Sequence, residues 1–471
     1  MKQTKRRFEP FPFYNSTGIC GHLEKMAAKG WMLTRMSTLW WTYRRTEPRK
    51  LHFAISYLAT LSMFDPDDLE ERQEFLDYCT HGGWHLACST AQMHVFWNEE
   101  ENPTPLETDP ELELESIRAS AWKGFLLGNG LLLGISLLQI FLFAMLYLGN
   151  PINFLSSSLL VFALMCFLIA AALAITDLVC YSRWSSKAEK MAPLGSLPQP
   201  VDTHYLGKGA TYLLVILLLI EVVRGIASGQ QTSLWMMAIP GCLLILLLSQ
   251  IMQALRDWLR RRGASRGLNR ALVAVLWITG SLAYAVGMMF LRPAANAADL
   301  AFRGAETYTV QGESYTAYHD AVPLSLEDLT GAQTGSYSTR RTGDQTIFMS
   351  RYSVTQEPRL DVENRGELPW LRYDVYSIPW PGLYETCKKD LLKSGLVLNQ
   401  YTLYSYIPAD PTPWGADEAY QRQNNAGRLE NEFLLCYDNT LATIEFSWTP
   451  TQEQMELAGK KLASPADFGI W

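Results

Sequence analysis

The chain has 471 residues, of which 48% are hydrophobic and only 18% charged, below the roughly 25% charged share of ordinary soluble proteins. That balance excludes a disordered chain and puts part of the protein out of water. Forty Lys and Arg against 47 Asp and Glu leave a net charge of -7, which excludes a nucleic-acid-binding surface as the main business.

The start, MKQTKRRFEPFPFY, is basic but has no apolar segment behind it, so no secretory signal is read there. Residues 1–108 contain an internal repeat. Leu23, Glu24, Gly30, Trp31 and Leu33 recur 53 positions later as Leu76, Asp77, Gly83, Trp84 and Leu86. Each copy reads as a helix, a glycine stop and strands, giving an α+β domain of two αββ units. The helices are expected at 17–29 and 66–80, with Gly30 and Gly82–Gly83 where a left-handed C-cap is wanted. Trp31 and Trp84 open strands that return as 40–45 and 93–97, and 51–58 is an additional strand. The regular placement of Trp31 and Trp84 makes them seam fillers between helix and sheet, with ligand stacking as the alternative.

The helix ending MAAKGWML, the strand WTYRR, the second GGWHL, the strand MHVFWNE and the acidic exit ETDPELELE resemble the domain of unknown function 2812 family of mostly Gram-positive bacteria. The resemblance covers residues 10–120. AVPLSLEDLTG and NEFLLCYDNTLATIEFSW look like segments that follow the membrane region in longer relatives. It implies a membrane-associated protein without an established activity, sometimes encoded beside PadR-type repressors, and carries over no catalytic residues.

Residues 109–123 form an acidic connecting helix: Asp109 is an N-cap, Pro110 takes the first helical position and Glu111 suits the dipole. That helix either runs into the first span or ends at a joint near Lys123 and Gly124. A bilayer core about 30 Å thick needs roughly 20 apolar helical residues. Residues 124–148, 154–176, 234–255 and 271–291 meet that requirement, the third with a kink expected at Pro240 and Gly241. The segment 210–228 contains Glu221 and Arg224, and the charges of the loops decide it. Arg183, Lys187, Lys190 and Lys208 lie in one loop and Arg256, Arg260, Arg261, Arg262, Arg266 and Arg270 in another, so both face the cytoplasm. They alternate with the uncharged loops 149–153 and 225–233 only if 210–228 also crosses. A bundle of five transmembrane helices over 124–291 follows, in a bacterial cell membrane, with the N-terminus inside and the C-terminus outside. The six arginines are candidate contacts for anionic lipid.

Residues 292–471 form an extracytoplasmic α+β domain with 15 basic and 24 acidic residues. A strand is expected at 373–378, a hairpin of 433–437 and 441–448 turns at Asp438–Asn439, and Thr449, Pro450 and Gln452 open a helix to about Leu462. Cys387 and Cys436 are a candidate disulfide. The aromatic excess of this domain packs its core or lines a glycan or lipid site.

Chemistry motifs are weak. Gly263-Ala264-Ser265-Arg266-Gly267 matches the nucleophile elbow in pattern, but lies in the arginine-rich loop without the strand that motif needs. Cys79, His81, His85 and Cys88 have none of the usual zinc spacings. No catalytic residue, metal or cofactor is expected. Glu221 and Arg224, three apart on one helical face, either simply reach the interface near the outer end of their span or form a candidate functional pair within the membrane, and Gly130 and Gly134 suggest close helix packing. Two functions remain: a non-enzymatic sensor or signal relay joining an outer to an inner domain, with a protein partner on either face, or a transporter or export accessory.

Overall fold

In the computed structural model, which describes residues 3–37, 40–58, 64–66, 70–90, 93–227, 232–302, 304–332, 334–393 and 404–464, the N-terminal repeat is βαββ rather than αββ. The first copy is β1 (Thr4–Phe8), α1 (Ser16–Ala27), β2 (Trp31–Met36) and β3 (Trp40–Arg45). The second is β4 (His52–Tyr57), α2 (Glu70–His81), β5 (His85–Thr90) and β6 (Met93–Asn98). Each copy makes an antiparallel sheet with the same order, β1-β3-β2 and β4-β6-β5. The strand expected over 51–58 thus opens the second copy. Its counterpart β1 was not expected, because TKRRF has no apolar alternation to announce a strand.

Equivalent positions behave alike. The register slips between Leu33 and Arg35 in the first sheet and between Leu86 and Cys88 in the second, so a bulge recurs at the repeat spacing. Gly30 and Gly83 follow α1 and α2 with φ of 75° and 79°, a conformation that an L side chain resists.

The core of this unit extends past residue 108. Tyr14, Ile19, Leu23, Leu33, Tyr43 and Val95 share one buried cluster with Leu114, Ile117, Ala121, Tyr181, Trp184 and Ala188. The last six come from α3 (Pro110–Ala121) and from the far end of a helix that begins at Ser158. Asp109 accepts from Glu111 N at 2.9 Å and caps α3, and Leu114, Ile117 and Ala121 recur at helical spacing on its buried face. α3 then continues through a π-helical turn, Trp122–Leu126, into α4 (Leu127–Gly149). The joint at Lys123 and Gly124 is therefore helical, and the wider turn shifts the face that α4 presents.

Short helix α5 (Pro151–Ser156) follows, capped by Asn150, and α6 (Ser158–Met191) starts after extended Ser157, so the second apolar helix begins four residues later than expected. α7 (His204–Ala227), α8 (Thr232–Arg261) and α9 (Arg266–Phe302) complete the helical part. Among the described residues four segments are long and apolar enough to cross a membrane: Pro110–Gly149, Ser158–Leu194, His204–Val223 and Arg266–Gly287. Leu131, Ile135 and Phe141 on α4 and Ile216 and Leu219 on α7 are exposed, as apolar side chains facing lipid would be. The expected span 234–255 falls within α8, whose side chains up to residue 246 lie outside the described residues. Among the described residues nothing lies within 4 Å of a Cβ at Gly130 or Gly134, where close packing was expected, whereas a Cβ at Gly280 of α9 would meet Leu248 of α8.

The chain forms two compact units, a first of Met1–Gln139, Cys166–Leu218 and Ile239–Met288 and a second of Ile140–Met165, Leu219–Ala238 and Met289–Trp471. In the second, the hairpin β7 (Glu306–Val310) and β8 (Glu313–Ala317) and short helix α10 (Leu326–Thr330) precede a sheet. Its strands are β9 (Tyr337–Gln345), β10 (Ser350–Pro358), β11 (Leu371–Ser377), β12 (Tyr404–Ala409), β13 (Glu418–Asn424), β14 (Leu429–Cys436) and β15 (Thr440–Phe446). They are ordered β12-β13-β14-β15-β11-β10-β9. One face buries Tyr352, Tyr373, Ile444 and Phe446 with Leu326, Leu329 and Leu462. α11 (Pro381–Lys393) follows β11, and α12 (Gln452–Leu462) closes the chain. The capping box of α12 is Thr451 with Gln454, two residues beyond the expected Thr449, because Trp448 Nε1 also donates to Gln454 and fixes it there. This unit holds the start of α6: Asp344 Oδ2 accepts from Ser158 N at 2.9 Å, and Thr346 Oγ1 donates to Leu155 O at 2.6 Å.

Candidate functional site

The site in the first unit is built around Glu9, a carboxylate with no exposed surface that follows β1. Pro10 ends the strand there, and Phe11 N bonds back to Glu9 O at 2.9 Å, which turns the carboxylate inward. A buried carboxylate is costly unless it is paired. Arg7 Nε reaches it at 2.9 Å from its own segment, Lys208 Nζ at 2.7 Å and His204 Nε2 at 3.1 Å from α7, and His22 Nε2 stands 3.5 Å away on α1. His204 and Lys208 share one helical face because they are four apart. Aromatic rings close over the charges: Phe11 stacks on His204 at 3.9 Å and lies 5.3 Å from Trp41.

Burial lowers the His22 pKa to about 4, with Arg7, His204 and Lys208 pushing the same way and Glu9 opposing. The ring is therefore neutral at pH 7. Because the folded value lies below the ordinary one near 6.5, the unfolded chain takes up the proton first, and stability falls as pH drops from about 6.5 to about 4. His22→Gln is expected to remove up to about 3 kcal/mol of that pH-dependent loss. Denaturation of the purified full chain at pH 7 and pH 4.5 checks it; an unchanged difference between the two pH values would count against the assignment.

Two further ties lie within this unit. Arg266 Nη2 donates to Asp65 at 2.6 Å, Asn269 Nδ2 to Phe64 O at 3.2 Å, and the Arg270 guanidinium lies 5.6 Å from the Phe64 ring. Arg35 of β2 donates to Asp257 of α8 at 2.8 Å. The six loop arginines are thus partly engaged within the chain, since Arg256 also pairs with Asp257 and Arg262 lies over Trp258. On α3, Arg118 reaches Ser185 Oγ and Glu189 of α6 at 2.9 and 2.8 Å.

Other expected sites lie elsewhere. Trp84 is buried with Cys79 and Phe96, its Nε1 donating to Thr104 O, whereas Trp31 is half-buried between the cations of Lys5 and Arg45. Glu221 is half-buried on α7, while the Arg224 side chain lies outside the described residues. Cys387 and Cys436 are free buried thiols rather than a disulfide; Tyr384 of α11 donates to the carbonyl of Tyr437, next in the chain to Cys436, at 2.8 Å. His81 bonds back to Asp77 O and His85 packs on Trp97, so neither turns toward Cys79 or Cys88 as a ligand. Ser265 is the cap of α9, accepting from Leu268 N at 3.4 Å between two helices. Sequence reasoning missed Glu9, His22, His204 and Lys208. The one local hint was a His and a Lys four apart at the head of an apolar segment.

Comparison with known families matches residues 20–126 to a family described as a protein of unknown function, DUF2812. Residues 20–126 are a DUF2812 domain. The matched DUF2812 segment starts inside α1, ends at the π-helical turn and includes α3, so it takes in the connecting helix but not β1 or Glu9. No curated protein and no solved structure matches the chain.

Proposed function

We propose that the protein is a non-enzymatic relay in a bacterial cell membrane, in which rearrangement of the membrane helices is read by the DUF2812 domain. The observation that carries this reading is the shared core: Leu114, Ile117, Tyr181 and Trp184, on helices that continue into apolar segments, are buried among the residues of the domain itself. A shift of α3 or α6 cannot leave that core unchanged, because packed interiors are dense and respond to small displacements. Five spans, with the N-terminus inside and residues 292–471 outside, fit the loop charges. Arg261 and Arg262, exposed at the end of α8, suit anionic lipid. A relay requires only that two states differ in interaction energy, and no chemistry.

α6 supplies the test, because Asp344 caps its first residue while Tyr181 and Trp184 lie near its other end. Asp344→Ala in the full chain in nanodiscs is expected to change amide hydrogen exchange over 110–126 and 181–194 as well as near 158. A change confined to residues near 158 would sink the relay. Loss of the cellular phenotype on Glu221→Ala or Arg224→Ala with none on Asp344→Ala would favour transport instead.

A further inference from the structure

The two sheets of the repeat differ in one respect that the fold does not require. β1, β2 and β3 together carry Lys5, Arg6, Arg7, Arg35, Arg44 and Arg45 and no Asp or Glu, whereas β4, β5 and β6 carry no Lys, Arg, Asp or Glu. The registers place Phe8 opposite Trp40 and Tyr57 opposite Met93, so Lys5, Arg6 and Arg7 stand where the second copy has Ala54, Ile55 and Ser56. The second copy keeps the same strand order and the same bulge without them.

Three of these cations are used internally, Arg7 on Glu9, Arg35 on Asp257 and Arg45 on the Lys29 carbonyl. Arg6 and Arg44 are exposed, and Trp40, on the same face with Arg6 5.9 Å from its ring, has 46% of its surface in the open. The face continues onto a membrane helix. Trp40 packs on Phe8 at 5.5 Å, and Phe8 on Tyr212 of α7 at 6.3 Å. Exposed Trp and Tyr rings beside arginines at the end of an apolar helix are the composition that suits the headgroup layer, where anionic lipids attract cations.

We infer that the outer face of the β1-β3-β2 sheet rests on anionic lipid headgroups at the base of α7. This rests on the membrane reading given above for α7. The charge pattern favours lipid over a nucleic acid, because the aromatic residues run from the sheet directly onto an apolar helix and the rest of the chain is acidic enough to leave a net charge of -7.

The test places a photo-crosslinking amino acid at Thr42, between Trp40 and Arg44 on this face, or at exposed Leu218 on α7, in the full chain. The protein is reconstituted in vesicles of phosphatidylcholine alone or with phosphatidylglycerol, and adducts are identified by mass spectrometry. The Thr42 probe is expected to capture phosphatidylglycerol in the mixed vesicles. Arg6→Gln with Arg44→Gln should cut that adduct at least about tenfold while leaving labelling from Leu218 and the melting temperature unchanged. Labelling from Leu218 without labelling from Thr42, equal Thr42 labelling of phosphatidylcholine, or a Thr42 adduct with protein or nucleic acid in cell membranes would overturn the inference. Failure at Leu218 itself would show that the membrane reading of α7 is at fault.

Discussion

Replacing Glu9 by Ala is expected to destabilise the full chain by about 3–5 kcal/mol, because it strands the Lys208 ammonium and the Arg7 guanidinium beside a closed aromatic wall. Removing one partner of a buried pair costs more than the pair itself contributes, since the remaining charge keeps its desolvation penalty. Lys208→Met alone should cost less, as that side chain keeps 18% of its surface in solvent and its aliphatic stem is retained. Thermal unfolding in detergent of the wild type, both single variants and the double variant measures the coupling. The double variant should recover about 1 kcal/mol or more of the summed losses, and additivity within about 0.5 kcal/mol would show that the two side chains are not a coupled pair.

The second large effect is at the helix stops. A Cβ at Gly30 would lie 2.7 Å from Thr46 O with φ at 75°, whereas at Gly83 it would lie 3.2 Å from Asn98 Nδ2 with φ at 79°. The clash at Gly30 is with backbone, which cannot swing aside; the one at Gly83 is with the end of a side chain. Gly30→Val should therefore cost roughly 3 kcal/mol or more, and Gly83→Val about 1–2 kcal/mol. The measurement belongs on the full chain, because cutting at residue 108 would strip Leu114, Ile117, Tyr181 and Trp184 from the core. Equal melting of the two variants would count against the backbone assigned at Gly30.

Much of the local architecture was legible in the residues. The repeat showed itself through Gly30-Trp31 and Gly83-Trp84, α3 through Asp109 and Pro110, and the apolar helices through runs without charge, because each of these signals lies within one or two helical turns. Glu9 had no such signal. Its partner Lys208 lies 199 residues away, and nothing in a lone acid after TKRRF says which cation will meet it. β1 was invisible for the same reason: its place is set by pairing with β3 and not by its own pattern. The shift of the capping box from Thr449 to Thr451, the free thiols of Cys387 and Cys436, and the extension of the core into α3 and α6 were likewise decided by tertiary packing. Turn chemistry, caps and hydrophobic runs act over a few residues and are written locally. Burial and charge pairing depend on which distant surfaces meet, and only the folded chain specifies that.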